Sequence, residues 1–112
     1  LTWNVVYEKP LVFSELGGDA KAGHYGPPEQ RWTEEFQADL YEHQIQMMKR
    51  IGVGRGLSPW ILTDFQSPRR PLPKIQEGWN RKGLIAQDKA TKKDAFAALA
   101  GNYLRLAEGE GA

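Results

Sequence analysis

The sequence predicts an α/β fold built on parallel strands with helices outside them. Strand-like apolar runs alternate with helix-like segments in the order strand, loop, helix, strand, loop, helix. Both long loops follow strands, whereas the link from the first helix to the second strand, around "GVGRG", is short. Alternation of this kind favours parallel pairing. Long strand-to-helix loops gathered on one side describe a barrel whose chemistry lies at the carboxyl ends of its strands.

The first strand is read at Leu11-Val12-Phe13, introduced by Pro10 and closed by Gly17-Gly18. A short apolar run between turn signals suits a strand buried on both faces. Residues 17–31, "GGDAKAGHYGPPEQR", form a long loop with four glycines and two prolines; loops of this length in compact domains are usually functional or disordered. A helix follows, capped by Thr33 with Glu34 and Glu35 in its first turn, where carboxylates favour the positive end of the dipole. Trp32, Phe36, Leu40, Met47 or Met48 and Ile51 supply an apolar stripe, and Gly52 and Gly54 stop the helix. The second strand is read at Trp60-Ile61-Leu62-Thr63 within "SPWILTDF", running into Asp64. Residues 66–83 form a second long loop with three prolines. A last helix covers about 92–107, capped by Thr91, with Phe96, Leu99, Tyr103 and Leu106 on one face, and the tail "EGEGA" is expected to fray.

Composition sets the outer limits. The 112 residues are 40% apolar and 26% charged, which reads as one soluble globular domain at most. Fifteen basic against 14 acidic residues leave a net charge of +1, without the basic excess of a nucleic-acid binder. No stretch has the length of a membrane span and no signal peptide is legible, so the compartment stays open. No cysteine and only two separated histidines argue against a thiolate or transition-metal site, and Walker spacing is absent. No cofactor is expected. Two parallel strands cannot close a barrel, which needs eight strands and about 250 residues; the pattern describes about a quarter of one.

Glu15 poses the chemical question. It is either a solvated loop glutamate or an acid delivered to a strand end, where an unpaired carboxylate is costly unless it reacts. A carboxylate so placed can attack a sugar's anomeric carbon when a second carboxyl group lies roughly 5–5.5 Å away.

"KPLVFSELG", "RWTEEFQADLYEH", "SPWILTDF" and "WNRKGL" together resemble the C-terminal end of the catalytic (β/α)8 barrel in glycoside hydrolase family 2, which includes β-glucuronidases and β-galactosidases. The resemblance covers about residues 8–105. It implies strand 7, helix 7, strand 8 and helix 8 of a TIM barrel, with residues 1–112 forming one incomplete barrel domain. It implies Glu15, in Glu15-Leu16-Gly17, as the nucleophile of a retaining β-glycosidase, and Trp60, four residues before Asp64-Phe65, as part of the sugar-binding floor. It implies Asn80 and Lys82 as the Asn-x-Lys pair that grips a glucuronate carboxylate; an amide and an ammonium two residues apart can converge on one carboxylate. Asp64 either bonds a sugar hydroxyl or braces nearby loop N–H groups, the bracing role being favoured. Arg69 and Arg70 are further candidates for the carboxylate in a stretch that departs from the family, and Tyr25 is a candidate from the first long loop.

The expected substrate is a β-glucuronide, or a β-galactoside or other uronide. The family's acid/base is a Glu after an Asn, and no Asn-Glu pair occurs here; Glu8 precedes the first strand rather than ending one. The chain also opens on Leu1. The reading is therefore of a fragment, inactive alone, whose partners are the rest of the barrel and the flanking β-sandwich domains in the same or another chain. A rival reading is a small non-catalytic carbohydrate-binding or interaction domain that uses its four tryptophans as a platform.

Overall fold

The computed structural model describes residues 9–51 and 54–109. Glu8, the expected helix stop Gly52 and residues 110–112 of the tail lie outside the described residues. The described chain is a mixed helix–strand unit: β1 (Leu11–Leu16), α1 (Glu34–Arg50), β2 (Gly54–Pro59), β3 (Phe65–Gln66), β4 (Trp79–Asn80) and α2 (Asp94–Ala107). β1 and β2 pair in parallel, with Phe13 opposite Leu57 and Leu16 opposite Pro59, and α1 is the crossover between them. β3 and β4 form a two-residue antiparallel pair inside what the sequence presents as an unstructured loop.

The second strand lies earlier than the sequence predicts. Gly54–Pro59, part of it read as a link, pairs with β1, while of Trp60–Thr63 only Trp60 still bonds to β1, through its N–H to Leu16 O. The physical reason is where the backbone bonds go. Ile61 N–H donates to Lys82 O, Leu84 N–H to Ile61 O, Ile85 N–H to Leu62 O and Asp64 N–H to Ile85 O, so residues 61–64 are taken up by 82–85. Gly54 is required where β2 begins, because a Cβ there would stand 2.7 Å from Met48 O at the end of α1.

β1 is not buried on both faces either. Val12, Ser14 and Glu15 are exposed while Leu11, Phe13 and Leu16 are half-buried, with Leu16 packed against the core. The core is Tyr41, Ile45, Leu84, Ala95 and Leu99, with Leu16, Ala38, Leu57 and Phe96 packed against it.

α1 is rotated from its predicted face, whereas α2 keeps Leu99 buried and Phe96 packed against the core as expected, with Tyr103 the exception. α1 buries Glu34, Gln37, Tyr41, Ile45 and Met48, leaving Met47 exposed; α2 buries Ala95, Leu99 and Asn102, leaving Tyr103 exposed. The cause is polar. Gln37 is fully enclosed because its Nε2 donates to the carbonyls of Gly18 and Gly83, both at 3.0 Å. A helix face chosen by buried hydrogen bonds is invisible to a count of apolar side chains.

Thr33 caps α1 as expected, accepting from Phe36 N–H at 3.0 Å. Thr91 does not cap α2. Its N–H and hydroxyl both donate to Asp88, and the helix begins at Asp94 after Lys93. The exposed N–H of Asp94 is taken by Glu34 Oε1 at 2.7 Å, so one helix's first residue serves as the other's N-terminal acceptor.

Candidate functional site

The parallel pair brings two sequence-identified residues to one edge. Glu15 stands near the carboxyl end of β1, exposed, and Trp60 directly follows β2. The Trp60 N–H donates to Leu16 O at 2.8 Å, which ties the start of the second long loop to the residue after Glu15.

Lys82 joins them from the loop beyond β4. Its Nζ lies 5.7 Å from the centroid of the Trp60 ring, within cation–π range. Phe65 meets the same indole edge-on, with centroids 5.5 Å apart and planes at 84°. Asn80 is buried, and its Oδ1 accepts from Lys82 N–H at 3.0 Å, closing an Asx-type turn that sets the spacing of the Asn-x-Lys pair.

Beneath this turn lies a charged cluster. Asp64 and Lys93 form an ion pair at 2.8 Å with both side chains fully enclosed. The same Asp64 Oδ1 accepts from Gly83 N–H at 2.8 Å, which is the bracing geometry, and Asp64 Oδ2 lies 3.6 Å from Arg81 Nη1. Burial pushes the Asp64 carboxyl upward, opposed by Lys93, Gly83 N–H and Arg81, and burial pulls the Lys93 ammonium downward, opposed chiefly by Asp64. Gly83 admits no side chain, since a Cβ would meet Asp64 N at 2.2 Å.

Asp19, on the loop after Glu15, faces the same ensemble. Burial raises its carboxyl, and the charges of Lys82, Arg31, Arg70 and Lys93 oppose the rise. Arg69 and Arg70 are exposed; Arg70 also closes a turn, donating its N–H to Ser67 O and accepting from Gly78 N–H. Tyr25 sits elsewhere. It is 58% exposed and lines a cleft of about 620 Å³ with Lys21, Glu34, Glu77, Trp79 and Arg81, to which Glu15, Trp60 and Lys82 contribute nothing.

Sequence reasoning missed Lys93, Arg81, Gln37 and Asp19. Lys93 falls inside the helix predicted over about 92–107, and Arg81 is the spacer in Asn-x-Lys. The available signal was local: Gly83 directly after Asn80-Arg81-Lys82 marks a backbone approached closely by something.

No family model matches the chain. It is 34% identical to the β-glucuronidase of Rattus norvegicus over 107 residues, covering 94% of this chain and 16% of that protein. To the β-glucuronidase of Homo sapiens it is 34% identical over 96 residues, covering 84% of this chain and 14% of that one. Among solved structures, a β-glucuronidase from Ruminococcus gnavus superposes with a TM-score of 0.78 at 25% identity, covering 91% of this chain and 17% of that one. A family 2 β-galacturonidase from Eisenbergiella tayi gives 0.77 at 21% identity, over 92% of this chain and 19% of that one. The chain thus spans about a sixth of the length of the curated relatives it matches.

The class these likenesses define is the glycoside hydrolases, and the chain is a glycosidase-like segment. More particularly, it is a β-glucuronidase-like segment. Among the described residues no helix is long and apolar enough to cross a membrane.

Proposed function

We propose that residues 1–112 form the part of a retaining β-glucuronidase barrel that carries the nucleophile and the uronate grip. Glu15 attacks the anomeric carbon of a terminal β-glucuronide, forming a glycosyl–enzyme bond that water later hydrolyses. A second carboxyl group, supplied from outside these residues by the rest of the barrel, first protonates the leaving oxygen and then deprotonates the water. Trp60 offers its face to the sugar ring, and Asn80 with Lys82 bind the uronate carboxylate.

The observation that carries this reading is the placement of the Lys82 ammonium 5.7 Å from the Trp60 ring, with Trp60 tied through its N–H to Leu16 beside Glu15. A cation held against an aromatic floor near an exposed glutamate suits a substrate with an apolar sugar face, a reacting carbon and a carboxylate. The likeness to β-glucuronidases over most of the chain supports the same choice of sugar.

The test is Lys82→Ala in the complete enzyme, with aryl β-glucuronide and neutral aryl β-glycoside compared. The ratio of kcat/KM for the glucuronide to that for the neutral sugar should collapse. Equal loss on both sugars would remove the uronate assignment and leave a glycosidase for another sugar, such as galactose.

A further inference from the structure

We propose that Lys93 is the positioning residue for the uronate grip, holding Lys82 in register through the backbone on either side of it. The proposal rests on the glucuronidase reading above and adds to it a residue that does not itself touch the substrate.

The geometry is unusual for a lysine. An ammonium has three donors, and Lys93 Nζ uses them on three different segments: Ala20 O at 2.6 Å, Asp64 Oδ1 at 2.8 Å and Arg81 O at 3.0 Å. Ala20 belongs to the loop that follows Glu15, Asp64 to the segment that follows Trp60, and Arg81 lies between Asn80 and Lys82. The side chain is fully enclosed, so these bonds are not exchanged with water.

The consequence falls on Lys82. The carbonyl preceding it, Arg81 O, accepts from Lys93 Nζ and from Ala20 N–H at 2.9 Å. The N–H following it, Gly83 N–H, donates to the Asp64 oxygen that Lys93 also binds. Lys82's own N–H goes to Asn80 Oδ1, and its carbonyl accepts from Ile61 N–H at 3.2 Å. The backbone on both sides of the grip residue is therefore fixed through one buried ion pair. A buried pair seldom adds net stability over an apolar replacement, so its presence here calls for a geometric role. Preorganised supporting groups of this kind determine how well a site recognises charge.

Two variants of the complete enzyme test this: Lys93→Met, which leaves Asp64 facing Arg81, and Lys93→Met combined with Asp64→Asn, which removes both charges of the buried pair, leaves Arg81 its contact with Glu77 at 3.9 Å and keeps an acceptor for Gly83 N–H. Lys82→Ala is assayed beside them. The expected result in the folded variant is a rise in KM for the aryl β-glucuronide larger than any fall in kcat. The glucuronide-to-neutral ratio of kcat/KM should drop on the order of 100-fold, the scale of a misplacement of about 1 Å. The proposal is overturned if a folded variant keeps the wild-type ratio, or if it loses activity on both sugars equally while Lys82→Ala still loses only the glucuronide. Equal loss in Lys82→Ala itself overturns the glucuronidase reading, and the positioning role with it. The double variant decides the matter should Lys93→Met alone fail to fold.

Discussion

Gly17 sits directly over the hydroxyl of Tyr41: a Cβ on Gly17 would stand 2.4 Å from Tyr41 Oη and 3.1 Å from Trp60 O. Gly17 also has φ +133°, a region that side chains rarely enter. The turn that follows Glu15 is thereby seated on the core residue Tyr41 and against the backbone of Trp60.

Gly17→Ala should accordingly destabilise the protein by about 1–3 kcal/mol from the backbone conformation alone, with the collision added to it. Thermal unfolding gives the measure. Combining it with Tyr41→Phe removes the hydroxyl contact but not the φ strain, so the double variant should recover part of the lost Tm and not all of it. Full recovery would show that the collision, not the backbone, sets the cost.

Tyr41 carries its own prediction. Its side chain is fully buried, and among the described residues its hydroxyl has no hydrogen-bond partner. Burial pushes its pKa up to about 12 from 10.0. The folded state therefore keeps the phenolic proton longer than the unfolded chain does. Stability from this group is fully present below pH 10 and is lost as pH rises through about 12. Tyr41→Phe should flatten that alkaline fall in denaturation midpoints measured from pH 9 upward. At neutral pH it should cost little, because the hydroxyl it removes is unpaired.

Glu34 links the two helices and the first long loop. Its Oε2 accepts from Gly23 N–H at 2.6 Å and its Oε1 from Asp94 N–H at 2.7 Å, and the residue is 2% exposed. Hydrogen bonds to a charged group contribute about 1.5–3 kcal/mol each, so Glu34→Ala should lower the unfolding free energy measurably. A second readout is specific to the geometry. A hydrogen bond to Glu34, and then its charge, raise the pKa of the Tyr25 hydroxyl. In Glu34→Ala, followed by NMR, Tyr25 should titrate at a lower pH than in the wild type. An unchanged Tyr25 titration would show that the two do not meet in solution.

Much of the plan was legible in the residues, for reasons that also explain the misses. α1 was readable because Thr33, Glu34 and Glu35 announce its start, and β1 because proline and two glycines bracket an apolar run. β2 was misplaced because Gly54-Arg55-Gly56 has poor strand propensity, whereas Trp60–Thr63 has good propensity but, from Ile61 onward, finds its partners in residues 82–85. The rotation of α1 and the start of α2 both depend on polar side chains reaching across the fold: Gln37 to Gly18 and Gly83, and Glu34 to Asp94. Such bonds join residues up to 60 positions apart, beyond any local pattern. Asn80 and Lys82 were picked out by the resemblance, while the turn that joins them lay within what read as a long loop. Lys93, which braces that turn from a different element, was not picked out.

Glu15 supplies the last prediction, and it separates a nucleophile from a carboxylate that merely binds sugar. Glu15→Ala in the complete enzyme should reduce turnover of an aryl β-glucuronide to background while leaving competitive binding of free glucuronate largely intact. Loss of turnover alone does not assign the role, because losing the acid/base has the same effect on unactivated substrates. The assignment comes from adding azide or formate. If the side chain removed was the nucleophile, a small anion can take its position on the face of the sugar opposite the leaving group and attack the anomeric carbon once. Aryloxide then departs with the electron pair, and the product has inverted anomeric configuration and is released as an α-linked adduct. If Glu15 were the acid/base, azide would act after the covalent intermediate had formed, and the adduct would be β-linked. NMR of the anomeric proton distinguishes the two, and the α-adduct is the expected result. A β-adduct would move the nucleophile to another residue and leave Glu15, at the exposed end of β1, with the proton-transfer role instead.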